Sequence, residues 1–450
     1  MHRFDEDVDA FASEVFRFAR RRASEDATTL ELGHPRTKAE LDARCGQTIT
    51  ENGMGALDAL RLFEDVLEPA CLSVDFPRYL AFVPAAPTET SILADLAISA
   101  CSIYAGSWQE GAGAVWAENE ALRWIASLAG LPDSAGGVFV SGGTNGNLSA
   151  LVAARDAARR RRGDRRPDGG WVVVAGETSH SSIASAARVM DVEVVIVPGD
   201  RLRGEALAPV LDDLGERAFA VVATAGTTNL GIVDDLATTG AVCSERGVWF
   251  HVDGAYGGAA LVAPSARARF DGIEQADSFI VDPHKWLFAP FDACALLYRD
   301  PLAAQQAHTQ HASYLDVLTE GGEWNPSDFA IHLSRRARGL PFWFSLAANG
   351  VAAYRDAVEH CLSVTRDAAA LIDAHPDLQL LREPELSVAA FTRRGWSAGD
   401  HDAWSLRMLE AGEAFVVPSS HDGQPILRFC IVNPRTTVDD IRLVLDSLSS

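Results

Sequence analysis

From about residue 136 the chain alternates short Val-rich apolar runs with longer helix-like stretches. The runs fall at 138–140, 171–174, 192–197, 220–225, 249–252 and 279–281. They are apolar throughout rather than at every second position, which suits strands covered on both faces. The helical stretches between them predict a mostly parallel, seven-stranded-type sheet flanked by helices, an α/β fold. Before residue 70, helix-like patterns at 7–22 and 56–67 are broken by Gly, Pro and Thr. After residue 330, long helical patterns, a strand-like 426–432 and a helix capped by Thr437 predict a smaller α/β unit. The chain is thus expected to divide into a helical N-terminal segment (1–70), a large domain (71–330) and a small C-terminal domain (331–450).

Sheets of this kind place ligands beyond the carboxyl ends of their strands. Polar clusters stand at those ends: Ser141-Gly142-Gly143-Thr144-Asn145, Thr178-Ser179-His180-Ser181-Ser182, Gly226-Thr227-Thr228, Asp253-Gly254-Ala255-Tyr256 and Asp282-Pro283-His284-Lys285-Trp286. Five strand ends are expected to converge on one pocket.

Composition narrows the partners. With 48% apolar and 22% charged residues in 450, the chain is long enough for a large core and is neither disordered nor fibrous. A net charge of −23 repels phosphate backbones and anionic lipids. Neither nucleic acid nor a membrane surface is an expected partner, and the arginine cluster at 159–166 reads as a solvated helix end. Seven scattered cysteines without a C-x-x-C pair suggest no disulfide framework and no metal site. The acidic, amphipathic start lacks the basic-then-apolar order of a signal peptide, so the expected location is cytoplasmic.

Candidate chemistry begins with scarcity. Of 39 basic residues only Lys38 and Lys285 are lysines. Arginine cannot serve as an amine nucleophile, so a lysine retained at the end of an apolar strand invites a chemical reading. Lys38 needs none beyond surface charge. Asp253 ends another apolar run, where a carboxylate needs a cation or donors; a protonated pyridine nitrogen would serve. Residues 141–147 precede a helical stretch at 148–162 and offer backbone N–H groups for a phosphate. His180 could stack over a flat ring. Each residue also has a plain reading: a chance lysine, an aspartate capping a turn, an unliganded glycine turn, a structural histidine. Their occurrence together in sheet order is what points to a cofactor.

With these residues quoted, the sequence resembles the group II pyridoxal-phosphate-dependent decarboxylases. These are fold-type I enzymes that include aromatic-L-amino-acid and glutamate decarboxylases. The resemblance runs from about residue 75 to 432 and is densest at 137–144, 180–182, 223–228, 251–256 and 276–286. It implies pyridoxal 5′-phosphate (PLP) held as a Schiff base on Lys285, Asp253 on the pyridine nitrogen, and His180 stacked on the ring near the scissile carboxylate. It further implies Gly143 and Thr144 on the phosphate, Thr228 and Ala255 beside the cofactor, and His284 on phosphate and pocket. A homodimer is implied, with Ser334 of one chain reaching the other's site. Phe82, Val83 and Trp108 would line an apolar substrate pocket, which favours an aromatic or bulky L-amino acid; Arg78 leaves an acidic one open.

The sequence departs from the family pattern in three places, the first being Gly106, which replaces a large residue at the substrate pocket and leaves it roomy. The stretch 315–329 lacks the tyrosine expected to reprotonate Cα, Tyr314 standing at its edge, and His284 is an alternative donor. Loss of that proton donor makes oxygen-dependent conversion to an aldehyde the alternative outcome, followed by a carbon–carbon lyase of the sphingosine-phosphate type. From a different class comes a non-catalytic, PLP- or partner-binding relative. Asp282 stands where the aromatic enzymes have asparagine, so a second anion would face the phosphate unless it turned away or took a proton.

Overall fold

The computed structural model describes residues 2, 4–25, 29–310 and 323–449. Its main sheet holds β1 (Gly136–Val140), β2 (Val172–Gly176), β3 (Glu193–Val197), β4 (Ala218–Thr224), β5 (Trp249–Asp253), β6 (Ser278–Val281) and β7 (Cys294–Tyr298). The strand order is β1-β7-β6-β5-β4-β2-β3. Strands β2 to β6 pair in parallel, while β7 lies antiparallel between β6 and β1. Six strands therefore share one direction, as the apolar pattern predicts.

Alternate side chains feed two cores. Phe139, Val172, Val174, Val221, Phe250, Val252 and Phe279 face one layer of helices; Val138, Val140, Val173, Ala220, Val222 and Ile280 face the other. That division is the two-residue period of an extended chain. Because both faces are covered, every position of β2, β4, β5 and β6 is buried. The edge strand β3 is partly open along most of its length, and the other edge strand, β1, at Gly136 alone.

The sequence pattern does not single out β7. It runs against its neighbours, so its C-terminal end leaves the shared edge and carries no polar cluster to mark it. The helix expected at 148–162 begins earlier, as Gly143–Arg161. Two glycines and two asparagines are poor helix formers, yet tertiary packing extends the helix through them.

Beyond residue 330 a second sheet contains β8 (Leu378–Leu380), β9 (Val388–Arg393), β10 (Ser419–His421) and β11 (Gln424–Cys430), all antiparallel in the order β10-β11-β9-β8. The expected strand at 426–432 is β11. Thr437 caps the helix Val438–Asp446 through a reciprocal capping box with Asp440. Tyr256 ties the two sheets together: its ring stacks on Trp286 at 5.5 Å and its hydroxyl lies 2.6 Å from Ser387 Oγ. At the other end, helices Glu6–Ser24, Lys38–Cys45 and Ala56–Leu62 bury no residue among those described. No described helix is long and apolar enough to cross a membrane.

Three histidines, His251 and His308 buried and His332 half-buried, give the fold a pH dependence. Burial pushes His251, His308 and His332 down to about 4. Below pH 6.5 the unfolded chain binds protons that these folded imidazoles refuse, so stability falls as pH drops from 6.5 toward 4. Asp234, pushed up to about 6 by burial, opposes this over part of the range, because the folded state keeps a proton that the unfolded chain has lost. We expect the melting midpoint to rise from pH 4 to 6.5 and then level. H308Q should shrink the rise by up to about 3 kcal/mol, read by thermal melts at several pH values. An unchanged pH profile in H308Q would remove His308 from this account.

Candidate active site

One cavity of about 700 Å³ opens at the shared carboxyl edge of the main sheet. Its lining includes Gly143, Thr144, His180, Thr228, Asp253, Ala255, His284 and Lys285. Five of the seven strands deliver their ends to it, as the polar clusters predict. Asp282 and Ile331 also line it.

Glycine shapes two of the approaches. Gly226 has φ +111°, and a Cβ there would lie 2.9 Å from the Gly257 backbone. A Cβ on Gly143 would meet Ala255 Cβ and Asp282 Oδ2, each at 3.2 Å. No side chain caps the helix that starts at Gly143; Gly142 is its extended N-cap residue. Backbone N–H groups and the positive helix end thus face the cavity.

Asp253 ends β5 with only 5% of its surface exposed. Asn147 Nδ2 donates to its Oδ2 at 2.8 Å, and the Ala255 N–H donates to its Oδ1 at 3.1 Å. Neutral amides orient this carboxylate without neutralising it, which leaves it suited to a cation in the cavity. Asn147, one turn into the helix, therefore serves Asp253 rather than the phosphate cradle in which the sequence reading places it. Its signal was present: it shares a helix face with Gly143, Ala150, Leu151 and Ala154, a polar residue on an apolar stripe.

Lys285 Nζ lies 3.0 Å from Asp282 Oδ2. Asp282 is 1% exposed, and it neither turns away nor lacks a counter-ion. Burial would lower the Lys285 ammonium, but the Asp282 carboxylate beside it, together with Asp253 across the cavity, holds the ammonium above its ordinary value. In return Lys285, and behind it His284, hold the Asp282 carboxyl below its ordinary value against the opposite pull of burial. Asp282 Oδ2 also receives the Gly143 N–H at 3.3 Å, and its Oδ1 is buried without a hydrogen-bond partner. His284 Nδ1 lies 2.7 Å from the Ala293 carbonyl oxygen, and its Nε2 is 3.7 Å from Asp282.

Other expected residues lie elsewhere in the single chain. Phe82, Val83, Trp108 and Ser334 are not in the lining. Phe82 packs near Phe415 at 5.9 Å between ring centres, and its carbonyl accepts from Arg428. Arg78 is committed to Asp440 at 2.9 Å and to the Glu413 carbonyl, so it does not greet a substrate acid. Trp108 opens a helix, its N–H bound to Asn325. Ser334 is exposed beside Arg335, which forks onto Glu118 with two 2.8 Å bonds. Tyr314 and residues 315–322 lie outside the described residues. Trp324 and Phe329 stack at 4.1 Å, and the Trp324 indole N–H donates to Gly137 O.

The residues present fit PLP: a lysine amine, a buried carboxylate with an unmatched charge, and a glycine-lined helix end surround one cavity. Fold and site together define a fold-type I PLP enzyme. The pyridoxal-dependent decarboxylase conserved domain matches residues 48–394, and the chain belongs to that family. Its cofactor is PLP and its chemistry the decarboxylation of amino acids. It is 31% identical to an aromatic-L-amino-acid decarboxylase of Bacillus atrophaeus over 417 residues, 89% of this chain and 86% of the relative. In structure it resembles Oryza sativa TDC, solved with PLP and tryptamine, with a TM-score of 0.91 at 23% identity, covering 100% of this chain and 99% of that one. It also resembles the 4-hydroxyphenylacetaldehyde synthase of Rhodiola rosea, with a TM-score of 0.88 at 22% identity, covering 99% of this chain and 98% of that one.

The Asp282–Lys285 pair can be tested with the lysines themselves. In cofactor-free protein at pH 8, acetylation should reach exposed Lys38 faster than Lys285. In D282N burial acts on Lys285 with less to oppose it, so its acetylation should quicken about tenfold or more, read by peptide mass spectrometry. Equal Lys285 rates in the two proteins would show that Asp282 does not set its protonation.

Proposed function

We propose that this chain decarboxylates an aromatic or bulky L-amino acid to its amine and CO₂, with PLP attached at Lys285. The reading rests on the meeting of Lys285, Asp253 and the Gly143 helix end in one cavity. When bound, PLP draws electrons from the breaking Cα–carboxylate bond into its ring. Lys285 supplies the amine that attaches the cofactor and yields it to the substrate. Asp253 keeps a proton on the ring nitrogen. His180 would stack on the ring and orient the scissile carboxylate, Gly143 and Thr144 would hold the phosphate by backbone and hydroxyl donors, and Thr228, Ala255 and His284 would complete the contacts.

The apolar character of Phe82, Val83 and Trp108 and the engagement of Arg78 by Asp440 favour a bulky apolar side chain over an acidic one. Those three residues and Ser334 lie outside the cavity lining of one chain, which fits a homodimer whose interface completes each site. The same reading keeps the division at about residues 70 and 330 and a cytoplasmic location. The missing tyrosine at 315–329 makes His284 our candidate proton donor to Cα.

The test is a panel of L-amino acids with the PLP-loaded protein, scoring CO₂, amine, aldehyde and peroxide. We expect CO₂ and amine in equal amounts from aromatic substrates, without peroxide. K285A should lose about two to four orders of magnitude in turnover. Borohydride should fix the cofactor to the Lys285 peptide. Aldehyde with peroxide would instead establish the oxidative outcome, and no turnover with no fixed adduct would overturn the proposal.

A further inference from the structure

Behind the cavity a line of buried polar groups leads from the strands to His180. The Trp249 indole Nε1 is 2.8 Å from Ser278 Oγ, which is 2.8 Å from His251 Nδ1. His251 Nε2 is 2.8 Å from Asn147 Oδ1, and Asn147 Nδ2 is 2.9 Å from Ser182 Oγ and 2.8 Å from Asp253 Oδ2. Ser182 Oγ is 2.8 Å from His180 Nδ1, which also accepts the Ser182 N–H at 3.2 Å. Asn147, Ser182, His251, Ser278 and Asp253 are all buried.

Three members of the line have no choice of role, and they fix the rest. A carboxylate only accepts, so Asn147 must turn its amide nitrogen to Asp253 and its oxygen to His251. His251 must then carry its proton on Nε2. Burial pushes His251 down to about 4, the Asp253 charge offsetting only part of this, so at neutral pH the ring has a single proton and Nδ1 is bare. Ser278 accordingly donates to Nδ1 and accepts from Trp249, whose indole can only donate. At the far end the Ser182 N–H is an obligate donor, so His180 Nδ1 is bare and the His180 proton sits on Nε2. Every bond then has one donor and one acceptor.

We propose that Asn147 and His251 are positioning residues: one amide, locked in a single orientation by the His251 Nε2 proton, aims the Asp253 carboxylate and, through Ser182, the His180 ring together. Asn147 couples the group beneath the ring nitrogen to the group over the ring face. This rests on the roles proposed above for Asp253 and His180. Without the His251 donor, the Asn147 amide is free to rotate and present its oxygen to Asp253, acceptor against acceptor.

The discriminating pair is H251Q and H251F. Glutamine restores an N–H donor toward Asn147, whereas phenylalanine preserves a buried aromatic ring. A packing role favours H251F; a donor role favours H251Q. We expect H251Q to keep kcat within about threefold of wild type. H251F should lose about ten- to hundredfold in kcat with KM changed far less, and N147L should match or exceed that loss. Independent of any substrate, nitrogen-15 histidine spectra of the cofactor-free protein, assigned with H180Q and H251Q, should place the proton on Nε2 of both His180 and His251. In N147L the His251 proton should move toward Nδ1. A His251 proton on Nδ1 in the wild type, or an H251F protein as active as H251Q, would overturn the proposal, whereas absent decarboxylation with Nε2 protons intact would overturn only the functional reading. Should N147L fail to fold, the His251 pair and the spectra still decide.

Discussion

The strands of the main sheet are covered on both faces, and this governs what the site can contain. A strand buried on each side offers no position for an unpaired polar side chain, so such groups collect where the strand runs out of cover. Since six strands share one direction, five of those exits fall on one edge. Asp253 is the last residue of β5 and Asp282 the first after β6, and both remain buried because their neighbours in the sheet are. The active-site cavity is the consequence of a direction shared by strands, and the chemistry is drawn from the residues that terminate them.

Concentrating polar groups there creates an electrostatic problem that the chain solves twice in different ways. Asp282 is matched by a full cation, Lys285, at 3.0 Å. Asp253 is matched only by amide donors, which orient it and leave its charge unmet. The two carboxylates line one cavity in different surroundings: Asp282 has a cation beside Oδ2 and an unpartnered Oδ1, whereas Asp253 has only neutral donors. Asp282 also stands against the start of the Gly143 helix, its Oδ2 accepting the Gly143 N–H at 3.3 Å. The His284 Nε2 lies 3.7 Å from the same carboxylate.

How much could be read from the sequence follows from the same constraint. Residues at strand ends were legible because an apolar run followed by Gly, Ser, Thr, Asp or Lys is a visible discontinuity, and Lys285 stood out because arginine fills nearly every other basic position. β7 was hidden because it runs the other way, β8 and β10 because each has only three residues, and β9 because its apolar run centres on two alanines, which suit a helix as well. Asn147 was misplaced because its glycine-rich surroundings suggested a loop, whereas packing against the sheet makes them the first turns of a helix. Phe82, Val83, Trp108 and Ser334 entered through resemblance alone, and no local pattern distinguishes them.

The helix Gly143–Arg161 carries more of the site than its opening glycines suggest. Gly143 brings its backbone against Asp282, and four residues later, on the same face, Asn147 reaches Asp253. A single turn thus sets the distance between the Asp282 end of the cavity and the Asp253 end, along a helix whose Ala150, Leu151, Ala153 and Ala154 are fully buried against the sheet. Small side chains there let the helix approach closely, and larger ones would lift both contacts at once. The geometry of the cavity is consequently held by packing further along the helix, at residues that do not line the cavity themselves.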